Sequence, residues 1–124
     1  MKRSPLKRRK PLGRGKGSPK ASKRREGAFT RAYGGPERVD AVRRRGCRVE
    51  GCTTRHPRPG HSHVIENAHT KAGGMGMKAE AKYVLNLCWI HHDEMGRGIQ
   101  TFAVKYGFDP VEEALKLDAQ LKED

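Results

Sequence analysis

Two short runs, CRVEGC at residues 47–52 and LCWIHH at residues 87–92, decide how this chain folds. The first carries Cys47-x4-Cys52 and the second Cys88-x2-His91, with residues 53–87 between them. Two close-spaced pairs of soft ligands separated by a loop are the usual way to close a tetrahedral structural zinc site. That set uses all three cysteines of the chain. His56, His61 and His63, in a loop rich in Pro and Gly, are the alternatives for the fourth ligand. The composition calls for such a brace. With 124 residues, 34% hydrophobic and 6% aromatic, the chain has little apolar surface to bury, and small polar domains commonly rely on a metal or disulfides. No stretch approaches the roughly 20 apolar residues of a membrane span, and the basic N-terminus lacks the apolar run of a secretory signal. A soluble protein of a reducing cytoplasm, prokaryotic or phage-infected, is expected, and there cysteines favour metal over disulfides.

The net charge of +13 is concentrated at one end. Residues 1–45 hold 17 Lys/Arg against Glu26, Glu37 and Asp40, whereas residues 46–124 hold 10 Lys/Arg against 11 Asp/Glu. Excess positive charge confined to one segment points to a polyanion met by an arm. Residues 1–27 are Lys, Arg, Pro, Gly and Ser with almost nothing to bury. Pro5, Pro11 and Pro19 interrupt any helix there, and the composition predicts disorder. The organisation expected is a basic arm over 1–35, a compact domain over 36–108 and a C-terminal helix over 109–124.

Within the domain, Pro36 opens a short helix with Val39 and Val42 inward and Gly46 ending it. The region from Cys47 to His69 is a loop followed by a strand around Val64 and Ile65. Residues 70–82 form a glycine-rich basic loop, and YVLNLCW at 83–89 is a second strand or the run into a helix. Ile99, Phe102, Ala103 and Tyr106 fall at i, i+3, i+4 and i+7 before Gly107, the pattern of an amphipathic helix with its C-cap. Asp109, with Glu112 three residues on, resembles a capping box for the last helix.

Two further histidines fall at informative places: His69 ends the first strand, and His92 follows His91 at a helix start. Adjacent helical residues point about 100° apart, so if His91 faces zinc, His92 faces elsewhere. The run C-x4-C followed by ENAHTKAGGMGMKAEAKYVLNLCWIHHDEMG resembles the HNH endonuclease motif, and in particular phage and prophage nucleases of the recombination-enhancement type, which also carry a basic N-terminal arm. The resemblance covers roughly Glu37 to Phe108. It implies an α+β fold, a small zinc-braced ββα-metal domain with flanking helices. It further implies His69 as general base, His92 as ligand of a catalytic divalent cation (Mg²⁺ or another such as Mn²⁺), and Cys47, Cys52, Cys88 and His91 as zinc ligands. The activity implied is metal-dependent hydrolysis of phosphodiester bonds in DNA, with or without a protein activator.

Such chemistry suits these residue types. A base of near-neutral pKa must take a proton from water, and a cation must neutralise charge developing on the phosphate. The chain departs from the wider pattern at three places. Ala68 stands where many relatives have an aspartate, so Asn67 or a carboxylate (Glu66, Glu80 or Asp93) must complete the metal site. On a strand Asn67 shares a face with His69, whereas Glu66 does so only through a bulge. Tyr83 occupies the place of the middle asparagine, with Asn86 offset by three, and Gly96 replaces a second helix histidine. These departures keep open a second reading, a catalytically inactive DNA-binding accessory protein of the same fold. A third, an RNA-binding zinc ribbon, leaves His69 and His92 idle. Lys7, Arg8, Arg9, Lys10, Arg14, Lys16, Lys23, Arg24 and Arg25 of the arm are expected to hold phosphates without sequence selectivity, with Lys71 and Lys78 extending the track; a solubilising tail or a calmodulin- or membrane-type basic segment is the alternative. Only Phe29 and Tyr33 offer rings for base stacking near the arm.

Overall fold

The computed structural model describes residues 19–74 and 77–123. The chain runs α1 (Pro19–Tyr33), α2 (Pro36–Arg44), β1 (Ile65–His69), a 3₁₀ turn (Ala81–Tyr83), β2 (Val84–Cys88), α3 (Trp89–Arg97), α4 (Ile99–Tyr106) and α5 (Pro110–Glu123). Among these residues no helix is long and apolar enough to cross a membrane. The mixed α/β class expected from the sequence is present, with β1, β2 and α3 succeeding one another as strand, strand and helix.

One element departs from expectation. Residues 19–33, expected as part of a disordered arm, form α1. Pro19 does not interrupt this helix because it is its first residue, where the missing N–H would have had no partner. Beyond it Ala, Lys, Arg and Glu are good helix formers. Tertiary contacts fasten its C-terminal end: Ala32 is buried, and the Tyr33 ring packs edge-on against His69 with centroids 4.9 Å apart. Arm residues Lys7, Arg8, Arg9, Lys10, Arg14 and Lys16 lie outside the described residues.

The helix expected at Pro36 is α2, with Val39 and Val42 buried. The strands pair antiparallel in continuous register, Ile65 opposite Cys88 and His69 opposite Val84. Alternation along β1 then divides its side chains. Glu66 and Ala68 lie on the same face as Leu85 and Leu87, where Val49, Met95, Phe102 and Ala114 complete the larger core. On the other face Val84 packs with Val42 and Leu117 against Tyr33 and Leu121. β2 is buried throughout, and its one polar residue is satisfied: Asn86 Nδ2 donates to the Gly46 carbonyl at 2.6 Å. Because Asn86 serves the end of α2, it does not reach the cleft described below.

α4 ends on Gly107 at φ +74°, the left-handed conformation glycine adopts without strain. α5 is capped as Asp109 was expected to cap it, Oδ1 accepting the Val111 N–H at 3.0 Å. Glu112 stays exposed and pairs with Lys116 at 3.7 Å.

Candidate metal centre and adjoining cleft

Four elements of chain bring the Cys/His set together. α2 ends at Arg44, and Arg45 and Gly46 lead from it to Cys47; the turn that follows closes with the Cys52 N–H donating to the Val49 carbonyl at 3.3 Å. Gly51, at φ +74°, makes that turn possible. The Arg48 N–H donates to the Asn86 carbonyl at 2.8 Å, fastening the turn along the outer edge of β2. Cys88 ends β2 and caps α3, its Sγ accepting the His91 N–H at 3.4 Å.

The ligand atoms of Cys47, Cys52, Cys88 and His91 all lie within 4.8 Å of one another. His91 Nδ1 is 3.4 Å from Cys47 Sγ and 3.0 Å from Cys88 Sγ, and Cys52 Sγ is 3.7 Å from Cys88 Sγ. Zinc–sulfur and zinc–nitrogen bonds of normal length imply edges of roughly 3.5–3.8 Å in a tetrahedron, so these residues could hold a metal ion. Burial pushes the Cys47 thiol up to about 12, so a cation is what would hold it as a thiolate. At Cys52 burial acts upward too, but hydrogen bonds with Thr54 and the neighbouring cysteines bring the thiol below its ordinary value. Burial also lowers His91, favouring the neutral ring that ligation needs. His56, His61 and His63 stay out of the cluster. His56 gives its carbonyl to Trp89 Nε1–H at 2.7 Å, and His61 and His63 line a different cavity.

His92 turns the other way, as adjacency to His91 requires. It lines a cavity of about 460 Å³ with His69, Asn67, Tyr33, Lys71 and Lys78. A neighbouring cavity of about 680 Å³ shares Tyr33, Asn67 and His92 and adds Phe29, Arg58, His61, His63 and Glu66. Together they make one cleft along the edge of β1 that β2 leaves unpaired. The Asn86 carbonyl points outward to Arg48, so the Asn67–Asn86 pair is a non-hydrogen-bonded one. The backbone N–H and C=O of Ile65, Asn67 and His69 therefore face this open edge.

The cleft groups differ in how firmly they are tied. His69 Nε2 lies 2.7 Å from the Ala32 carbonyl; an oxygen can only accept, so Nε2 carries the proton. Burial sets His69 below its ordinary pKa, although the hydrogen bond to the Ala32 carbonyl and the nearby Ala79 backbone pull upward. Asn67 Nδ2 donates to the Val39 carbonyl at 3.3 Å, while its Oδ1 is buried and unpartnered. Such an orphaned acceptor is costly unless something occupies it.

Glu66 is expected from the sequence as a ligand for a cleft metal, but the unbroken register supplies no bulge to bring it beside Asn67. Its carboxylate is engaged instead. Arg58 donates to it through Nε at 3.1 Å and Nη2 at 2.9 Å, and His92 Nδ1 sits 2.8 Å from Oε1. Arg58 also spans Asp93, with Nη1 at 3.0 Å and Nη2 at 2.6 Å. The guanidinium holds Glu66 well below the usual carboxylate range, against the upward effect of burial and with help from His92. Glu80, the third carboxylate considered, is exposed, 3.9 Å from Lys82, and lines a separate cavity between α2 and α5. Arg58 is the residue that sequence reasoning misses. Its signal is slight: an arginine between Pro57 and Pro59, in a loop whose partners cannot be read locally.

Of the cations expected to grip phosphate, Lys23, Arg24 and Arg25 are exposed on α1. Lys78 lies over the Tyr33 ring and donates to its hydroxyl at 2.5 Å; Lys71 lies 5.1 Å from the centre of the Tyr83 ring. Phe29 and Tyr33, whose centroids are 5.4 Å apart, stand at the mouth of the cleft. Scans of family models, of curated proteins and of solved structures return no match to this chain.

Proposed function

We propose that this protein is an HNH-type, divalent-metal-dependent endonuclease that hydrolyses DNA with low sequence specificity in a phage-related setting, its zinc structural and its basic arm gripping phosphates. The observation that carries the reading is a division of labour between neighbours. His91 joins three cysteines, while His92 opens onto a cleft shared with His69, Asn67 and two lysines.

In this reading His69 is the base. Its burial keeps the ring neutral near pH 7, and with Nε2–H given to Ala32, Nδ1 is the nitrogen that takes a proton from water. A divalent cation such as Mg²⁺ or Mn²⁺, when bound, would neutralise charge developing on the phosphate and leaving oxygen. His92 Nε2 and the orphaned Asn67 Oδ1 are the protein atoms suited to hold it. Lys71 and Lys78 would draw the phosphodiester into the cleft.

The second reading, a DNA-binding accessory protein without catalysis, is favoured by one feature: Arg58 already pairs with both Glu66 and Asp93, leaving neither carboxylate free for a cation. Incubating the purified protein with supercoiled plasmid and Mg²⁺, Mn²⁺ or Ni²⁺ separates the two. Metal-dependent nicking that vanishes in His69→Ala is the result expected; DNA binding without nicking under any metal would select the accessory protein.

The role of the arm is testable by truncation. Deleting residues 1–18 leaves α1 intact yet removes Lys2, Arg3 and the six arm cations named above that precede it. DNA affinity should fall, and the log–log salt dependence should flatten by about 0.7–0.9 for each phosphate the arm no longer neutralises. Titrations at several salt concentrations read this directly, and an unchanged slope would place the grip elsewhere.

A further inference from the structure

We propose that Arg58 is a positioning residue that sets which metal the cleft accepts: by clamping Glu66 and Asp93 it withholds both carboxylates and fixes Glu66 as the acceptor for His92, leaving a site of imidazole and amide donors that takes a transition metal such as nickel(II) in preference to magnesium. The inference rests on His92 as a metal ligand and goes beyond that reading by assigning the metal class and the residue that dictates it.

The clamp is a built feature. Arg58 pairs through two nitrogens with each carboxylate, a planar fork against planar acceptors. Its side chain is 29% exposed, Glu66 16% and Asp93 39%, so the group is neither a loose surface pair nor a sealed one. Pro57 and Pro59 restrict the backbone on both sides of it, and the guanidinium rests over Trp89 at 5.7 Å. Lysine could not reproduce the two-sided fork.

The consequence passes through Glu66 to His92. With both oxygens held by Arg58, Glu66 presents Oε1 at 2.8 Å to His92 Nδ1. A carboxylate accepts, so Nδ1 bears the proton and Nε2 keeps the lone pair. This carboxylate–histidine arrangement fixes the ring and tautomer of metal-binding histidines. Glu66 lies on the opposite face of β1 from Asn67, whose unpartnered Oδ1 is the other donor suited to the cleft. Magnesium demands hard oxygen ligands and commonly takes carboxylates, whereas imidazole suits nickel, zinc and copper. The cleft therefore selects by what Arg58 removes.

The test uses the full-length protein loaded with one equivalent of zinc and titrated calorimetrically with NiCl₂ and with MgCl₂, and the His92 tautomer is read from ¹⁵N shifts before any second metal is added. The wild type should show Nδ1 protonated, bind one Ni²⁺ and bind Mg²⁺ far more weakly. Glu66→Gln should weaken Ni²⁺ binding about 10–100-fold, the usual cost of losing such a supporting partner. Arg58→Met should gain Mg²⁺ affinity and narrow the Ni²⁺/Mg²⁺ ratio. Arg58→Lys keeps the charge but not the two-sided fork and should shift the ratio in the same direction as Arg58→Met, and the Glu66→Gln titration keeps the inference testable even if Arg58→Met does not fold. The opposite tautomer in the wild type, no Ni²⁺ uptake, or a Glu66→Gln protein with unaltered Ni²⁺ affinity would each overturn it. Nickel binding with these variant effects but no nicking under any metal would overturn the endonuclease reading and leave the clamp standing.

Discussion

Cys88→Ser is expected to unfold the domain. Cys88 is fully buried, closes β2, caps α3 and contributes one corner of the Cys/His cluster that could hold a metal ion. The core around it is modest: of the buried hydrophobic residues among those described, only Leu85, Leu87, Met95, Phe102 and Leu117 exceed valine in size. Fully burying such a side chain stabilises by about 1.5–3 kcal/mol, and chain entropy consumes most of that sum. Zinc binding to comparable small sites is worth about 10–16 kcal/mol near neutral pH, as large as or larger than the 5–15 kcal/mol net stability of an ordinary domain. His91→Ala should fail in the same way, and excess Mg²⁺ should not rescue it. His92→Ala should leave the fold and one bound zinc intact, because His92 touches Glu66 rather than the cysteines. Metal content and a thermal melt followed by circular dichroism decide the matter. A Cys88→Ser protein that melts cooperatively near the wild-type temperature would show that the metal is not the brace.

Local signals in the sequence suffice wherever the structure is locally determined. The spacing of Cys47, Cys52, Cys88 and His91 identifies the cluster because a knuckle and a helix start present ligands at fixed offsets. Val39 and Val42 mark the inner face of α2, and Asp109 marks a cap, for the same reason. What escapes is decided by distant partners or by competing local rules. α1 escapes because proline, usually a breaker, stands at the one position where it is a starter. Arg58 escapes because it meets residues eight and 35 positions away, Glu66 and Asp93. Strand alternation rightly warns that Glu66 faces away from Asn67, yet only the continuous register shows that no bulge reverses it. Phe29 and Tyr33 carry too little pattern for their place at the cleft mouth to be foreseen.

The other large effect belongs to His69, and its structure refines how it must be tested. His69 does two things: it presents a neutral imidazole to the cleft, and its Nε2–H ties β1 to the Ala32 carbonyl near the end of α1. His69→Ala removes both, and leaving that carbonyl without its partner should itself cost about 1–3 kcal/mol. His69→Gln keeps an amide donor for Ala32 but supplies no base, so the pair separates the roles. Both should lose 10²–10⁴-fold in cleavage rate if His69 is the base, while only the alanine variant should also lose appreciable stability. Acidity gives an independent check. Burial lowers the His69 pKa below the ordinary 6.5, so at pH 6.5 more of the ring is unprotonated, and able to act, than in a free histidine. The midpoint of the acid limb of the rate should lie below pH 6.5, at the lowered value. Stability follows the same sign. The unfolded chain takes up the His69 proton first, so its contribution is present above about pH 6.5 and is lost as pH falls from there toward the folded value. A wild-type acid limb lying above pH 6.5, or a His69→Gln protein that nicks plasmid at the wild-type rate, would show that the proton is taken elsewhere.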